Sequence, residues 1–130
     1  MKKILGIISL IIFYFLTPNF AFAEVGIIDS NFSYAWSSNI GWVNFAPTDA
    51  NKNYVGLNVS DDLITGEAWS QNFGWIHFNP QNGGVKNTKE GKFFGDAFGE
   101  NIGWVNFSGV IVNCDGKFVG QATVETVGTI

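Results

Sequence analysis

The chain has 130 residues, a formal charge of −4, an aromatic content of 16% and no arginine. This acidic composition excludes a basic footprint for nucleic acid or for an anionic membrane surface. A single cysteine, Cys114, excludes an intrachain disulfide framework. Stability must therefore come from packing, to which each buried Phe or Trp contributes about 1.5–3 kcal/mol.

The N-terminal region predicts a secretory signal peptide over residues 1–23. Met1-Lys2-Lys3 is basic, an apolar run follows from Ile4 to Phe22, and Ala21-Phe22-Ala23 forms a cleavage site of the A-x-A type. An uncleaved N-terminal anchor is the alternative, although the run is short for a membrane span. We expect an exported protein, located extracellularly, at the cell surface or in the periplasm, with one β-repeat domain over residues 24–130.

An internal motif recurs along the rest of the chain. Its three full copies, AWSSNIGWVNF, AWSQNFGWIHF and AFGENIGWVNF, cover residues 35–45, 68–78 and 97–107 and contain all five tryptophans. A degenerate fourth copy covers residues 122–130 and has Thr129 in a Trp position. We expect either a short last strand in this copy or a chain that is part of a longer protein.

A β-like run and a turn signal precede each of the last three copies. The runs and their turns are 54–60 with Asp61-Asp62, 85–89 with Glu90-Gly91, and 110–113 with Asp115-Gly116. Such turns between alternating apolar residues are typical of hairpins. We expect an all-β, antiparallel fold of hairpin repeats packed as a small β-sandwich or barrel-like stack. The chain would cross between two sheets at its Pro and Gly linkers, and a single-sheet β-solenoid is the alternative.

Centring each motif on a turn at Asn39 or its counterpart fixes the hairpin register. Asn39 and Gly41 are residue types that tolerate the positive φ expected in this turn. The register pairs aromatic residues across the hairpins as Trp36–Trp42, Trp69–Trp75 and Phe98–Trp104. Because side chains alternate along a strand, this pairing separates two faces of each hairpin.

The two predicted faces differ in chemistry. The predicted core face sets Ala opposite Val or Ile, and Ser or Gly opposite Phe, which fills a tight apolar layer. The other face places a polar pair beside each aromatic pair. These polar pairs are Tyr34–Asn44, Glu67–His77 and Asp96–Asn106.

Two interpretations of the aromatic face are open. The Trp pairs either pack on one another as a ladder between stacked hairpins, or stand exposed as platforms for sugar rings. A pyranose has an apolar face and a polar rim, which suits aromatic rings flanked by hydrogen-bonding groups. The predicted ligand-binding residues are Trp36, Trp42, Trp69, Trp75, Trp104, Glu67 and His77. The expected partner is a surface polysaccharide or another surface protein.

Patterns for catalysis and metal binding are weak. His77 is the only histidine and lacks the companions that a catalytic base or a metal ligand needs. Glu67 and Asp96 occupy matching repeat positions, which indicates a surface pattern rather than an acid/base pair for glycoside hydrolysis. No D-x-D-x-D-G calcium loop is present, and Cys114 is a candidate for intermolecular pairing. We predict no enzyme, no catalytic residue, no metal and no cofactor.

The motif G-x-A-W-S-x-N-x-G-W-I-x-F, as found over residues 66–78, resembles a repeat in exported and cell-surface proteins of bacteria. The resemblance covers nearly all of the chain after the predicted signal peptide. Phe98-Gly99 in the third copy and Thr123 and Thr129 in the fourth depart from it. It implies location and repeat architecture. We therefore expect a non-enzymatic surface or adhesion-type module, with a carbohydrate-binding module using paired Trp platforms as the alternative.

Overall fold

The computed structural model describes residues 25–125 and 128–130. The predicted signal peptide lies outside these ranges. Within them the chain forms antiparallel strands and one short 3-10 helix, Ser30–Phe32. The strands are β1 (Gly26–Ile27), β2 (Tyr34–Ser37), β3 (Gly41–Asn44), β4 (Asn58–Val59), β5 (Ile64–Thr65), β6 (Glu67–Ser70), β7 (Gly74–His77), β8 (Gly84–Asn87), β9 (Phe93–Gly99), β10 (Gly103–Asn106), β11 (Val110–Val112), β12 (Phe118–Gly120), β13 (Thr123–Val124) and β14 (Gly128–Thr129).

The predicted all-β, antiparallel fold is confirmed. The main sheet curls into a half-barrel, as a barrel-like stack requires, and its strand order is β14-β13-β10-β9-β7-β6-β3-β2. Four repeat hairpins build it: β2–β3, β6–β7, β9–β10 and β13–β14. In the part of the chain that is described, no helix has the length and apolar character needed to cross a membrane.

The predicted register of the hairpins is also confirmed. Trp36 lies opposite Trp42, and the corresponding aromatic residues pair in the second and third hairpins. In the fourth hairpin, Thr123 lies opposite Thr129 in the equivalent place. The motif therefore determines the same strand pairing even where its aromatic residues are absent.

In the first three repeat hairpins, the turn depends on the glycine that follows it. Gly41, Gly74 and Gly103 adopt φ values of 76°, 81° and 77°. The positive φ expected in this turn is therefore found at Gly41 and not at Asn39, since Lys52 is the non-glycine residue with a positive φ in the described chain. The glycine supplies the left-handed step on its own, so the asparagine backbone does not need to.

The asparagine at the turn of the second and third motif copies instead joins one hairpin to the preceding one. The Asn72 side-chain amide donates to the Ile40 carbonyl at 3.1 Å, and the Asn101 amide donates to the Phe73 carbonyl at 2.8 Å. Each turn is thus bonded to the turn of the hairpin that precedes it. Asn39 holds the same motif position in the hairpin at the edge of the sheet.

A second layer of strands covers the inner side of the main sheet. It contains β1, the lead-in hairpins β4–β5 and β11–β12, and β8 paired with the first half of β9. Isolated bridges, Leu63 to Lys86 and Lys92 to Ile111, join neighbouring lead-in hairpins. The chain leaves the main sheet after β3, β7 and β10. It returns to it over short connections before β6 and β13, and within the single strand β9.

A glycine lies at each of these returns to the main sheet. Gly66, Gly95 and Gly120 have φ values of 96°, 95° and 110°. A Cβ atom on Gly95 would lie 2.2 Å from the carbonyl oxygen of Gly84. A larger residue at this bend would therefore push the two layers apart.

The core lies between the two layers. The main sheet contributes Ala68, Ile76, Ala97 and Val105, and the second layer contributes Leu57, Ile64, Val85, Phe93 and Val110. A row of rings crosses the core, with Phe78 lying 6.2 Å from Phe45 and 4.7 Å from Phe107 between ring centroids. The predicted core face is confirmed in the central hairpins, but Ala35 on the edge strand is exposed.

Replacing Asn72 with Ala removes one hydrogen bond between hairpins. We expect the free energy of unfolding to fall by about 0.5–1.5 kcal/mol, the usual net contribution of such a bond. Asn39→Ala is the matched control, because this asparagine has the same place in the motif but no preceding hairpin in the described chain. Urea unfolding followed by Trp fluorescence measures both. Equal losses in the two variants would contradict the assigned role.

Candidate ligand-binding face

All seven predicted ligand-binding residues lie on one face of the main sheet. They belong to β2, β3, β6, β7 and β10 and alternate with the buried core positions. We call this surface the outer face. Trp36, Trp42, Trp69 and Trp104 are 60%, 50%, 40% and 46% exposed, and Trp75 is half-buried.

Each aromatic pair is a tilted, edge-to-face contact. The ring centroids lie 5.2 Å apart in Trp36–Trp42, 4.8 Å in Trp69–Trp75 and 5.1 Å in Phe98–Trp104. Interplanar angles of 59°, 66° and 63° match the geometry that the ring quadrupole favours. The pairs therefore hold their rings at fixed positions while leaving much of their surface in solvent.

The first hairpin carries the richest aromatic cluster. Tyr34 contacts Trp42 edge-on, with ring centroids 6.3 Å apart and an interplanar angle of 86°. Together with Trp36 this gives three exposed rings on two adjacent strands. The repeat register predicts Tyr34 as half of a polar pair, but its ring also belongs to the aromatic cluster.

Neighbouring hairpins are displaced along the strands by two residues. Asn44 lies opposite Trp69, His77 opposite Phe98 and Asn106 opposite Thr123. At the first two junctions the polar pair of one hairpin therefore continues into the aromatic pair of the next. The resulting four-residue rows are Tyr34–Asn44–Trp69–Trp75 and Glu67–His77–Phe98–Trp104, and the third junction gives the row Asp96–Asn106–Thr123–Thr129.

This displacement places polar residues between successive aromatic pairs. The pairs therefore do not pack on one another as a ladder between hairpins. On the outer face of the described chain, the ring contacts lie within hairpins. Strand spacing and residue rise place successive pairs about 12 Å apart on the diagonal. Of the two open interpretations, this geometry favours exposed platforms.

The Glu67–His77 pair lies between two aromatic pairs. Glu67 Oε1 is 2.8 Å from His77 Nδ1, and the two side chains are 35% and 34% exposed. The pair is flanked by Trp69–Trp75 along its own strands and by Phe98–Trp104 on the neighbouring strands. Glu100, which the sequence analysis did not select, places Oε1 4.0 Å from His77 Nε2.

The asparagines of the other polar pairs have a structural function as well. The Asn44 side-chain oxygen accepts from the Ala46 amide at 2.9 Å, and the Asn106 oxygen accepts from the Ser108 amide at 3.0 Å. These bonds turn the chain as it leaves the strand. Asn106 also donates to Asp96 at 2.8 Å. In the Glu67–His77 pair the side chains bond to each other, and about a third of each remains exposed to a ligand.

Three carboxylates of the described chain are bonded to nearby residues. Glu67 and Asp96 each bond within their own hairpin. Asp49 accepts from the Asn53 side chain and from the backbone amides of Asn53 and Asn51, and these donors lower its pKa below the ordinary range. In the described ranges no cluster of three or more His, Cys, Asp or Glu side chains is arranged to hold a metal ion. Cys114 is exposed.

Comparison with protein-family models, with curated proteins and with solved structures found no match to this chain. The geometry of the outer face is therefore the basis for a functional interpretation.

A double-mutant cycle on Trp69 and Trp75 tests whether the pair acts as a unit. We expect a coupling free energy of about 0.5–1.5 kcal/mol from the edge-to-face contact. The matched cycle on Trp36 and Trp104, which lie on distant strands, should be additive within about 0.5 kcal/mol. Chemical unfolding of the single and double variants gives both values, and a Trp69–Trp75 coupling no larger than that of the distant pair would contradict the contact.

Proposed function

We propose that this chain is a non-catalytic, exported binding module of the surface or adhesion type, which holds a polysaccharide on its outer face. The observation that supports this proposal is the exposure of the aromatic pairs. Trp36, Trp42, Trp69 and Trp104 are each at least 40% exposed on one sheet face. Exposed aromatic surface rimmed by polar groups is typical of interaction sites.

The chemistry of the outer face suits a sugar chain. Indole rings stack on the apolar face of a pyranose, while the Glu67 carboxylate accepts hydrogen bonds from its hydroxyl groups. The edge-to-face pairing holds each ring in place before binding, so little side-chain entropy is lost. A spacing of about 12 Å between aromatic pairs is comparable to the length of a disaccharide unit.

Charge narrows the class of polysaccharide. The chain has a net charge of −4, and Glu67, Asp96 and Glu100 lie on or beside the outer face. An acidic polymer would be repelled from this surface. The favoured ligands are therefore neutral polysaccharides and those that carry amino groups.

Trp69→Ala tests this function because it removes the central exposed ring. We expect its affinity for the polysaccharide that wild-type protein binds to fall about tenfold or more, equivalent to about 1.4 kcal/mol. Phe94→Ala is the matched control, since Phe94 is 46% exposed in the second layer, away from the outer face. Sedimentation with insoluble cellulose and chitin, and fluorescence titration with soluble xylan and mannan, measure binding.

The proposal fails if wild-type protein binds none of these polymers, or if Trp69→Ala changes stability without changing binding. Capture of another surface protein that is equally sensitive to Trp69→Ala, in the absence of polysaccharide binding, would assign the outer face to a protein partner.

A further inference from the structure

Strand β2 is an open edge of the main sheet. It lies at the end of the strand order, with β3 as its neighbour in the described chain. The Phe45 amide donates to the Ser33 carbonyl at 2.8 Å, and bonded pairs alternate with non-bonded pairs in an antiparallel ladder. The backbone groups of Tyr34 and Trp36 therefore point away from β3, toward the open side.

The equivalent strands of the other hairpins are covered in one common way. In β6, β9 and β13, each first strand pairs with the second strand of the preceding hairpin. The register is the same each time: Val43 with Ser70, Ile76 with Gly99, and Val105 with Val124. These junctions indicate which strand would pair with the open side of β2. It is a strand with the pattern Gly-Trp-Val-Asn-Phe.

The first alanine of each motif copy indicates the same partner strand. Extension of this register by one residue beyond the paired strands would set Phe45 opposite Ala68, Phe78 opposite Ala97 and Phe107 opposite Ala122. Those alanines are 0%, 0% and 4% exposed. Their counterpart in β2 is Ala35, which is exposed.

An apolar cavity lies at Ala35. It has a volume of about 110 Å³ and is also lined by Phe45, Phe118 and Ile130. An apolar cavity of about 150 Å³ is known to bind benzene. The space beside Ala35 thus has the chemistry and approximate size for one phenyl ring, the side chain that the extended register would place opposite the other motif alanines.

We propose that the β2 edge is a strand-addition site for an extended segment of another polypeptide that carries the pattern Gly-Trp-Val-Asn-Phe. The segment pairs with the backbone groups of Tyr34 and Trp36, which face no strand of the described chain, and places its Phe ring in the cavity against Ala35. The Asn39 amide bonds to the carbonyl before the incoming glycine, as Asn72 bonds to Ile40. Strand addition to a sheet edge, with pockets for alternate side chains, is an established mode of peptide recognition.

A synthetic peptide with the sequence of residues 100–109 is the probe, because it contains this pattern. Calorimetric titration into the full-length chain should show saturable binding. Replacing the peptide Phe with Ala should weaken it about tenfold or more, the equivalent of about 1.4 kcal/mol. A substitution of the peptide Ser, which follows the pattern, is the matched control and should leave binding unchanged.

Two variants of the protein test the edge itself. Trp36→Pro removes an amide donor on the open side, where proline is tolerated, and should abolish binding. Trp36→Thr loses the ring but keeps the amide, so it should retain most of the affinity. Ala35→Leu fills the cavity and should weaken binding even if the proline variant does not fold.

Absence of binding at millimolar peptide, or equal affinity for the Phe and Ala peptides, would overturn the proposal. Self-association of the wild-type chain that Trp36→Pro abolishes would assign the edge to a second copy and overturn a separate partner. Sedimentation velocity over a range of protein concentrations distinguishes that outcome.

Discussion

Successive hairpins of the main sheet meet in one register, and the rest of the structure follows from that junction. Two residue pairs define it, as in Val43–Ser70 and Asn44–Trp69, and at the first two junctions an asparagine bond also joins the turns, as from Asn72 to Ile40. Because each junction displaces the next hairpin by two residues, the same displacement accumulates across the sheet. Accumulated stagger of this kind accompanies the curling of a sheet toward a barrel, and the main sheet is a half-barrel.

The same displacement organises both faces. On the inner face the Phe rings of successive hairpins contact each other, which gives an apolar row through Phe45, Phe78 and Phe107. On the outer face it interleaves aromatic and polar pairs, so that Glu67–His77 lies between two sets of rings. The outer face and the core are thus two consequences of one backbone arrangement.

Sequence reasoning predicted what is local and missed what lies between hairpins. The pairing of Trp36 with Trp42 follows from a short turn and the alternation of side chains. The contact of Asn44 with the strand of Trp69 joins segments separated by a linker, and nothing in the linker sets the register. The role of Asn72 was missed for the same reason, since its acceptor belongs to another hairpin. The exposure of Ala35 depends on the absence of a neighbouring strand, which the repeat pattern does not reveal.

The fourth hairpin shows which part of the motif the strand pairing requires. Thr123 and Thr129 pair there in the position of the Trp pairs, and Ala122 and Ile130 exchange backbone bonds of 3.0 and 2.8 Å. The register is therefore kept without an aromatic pair. An edge-to-face pair contributes about 0.5–1.5 kcal/mol beyond the burial of its surface, so the Trp pairs stabilise the hairpins that carry them without being required for the register. The part of each ring that stays in solvent is the surface that the proposed ligand would use.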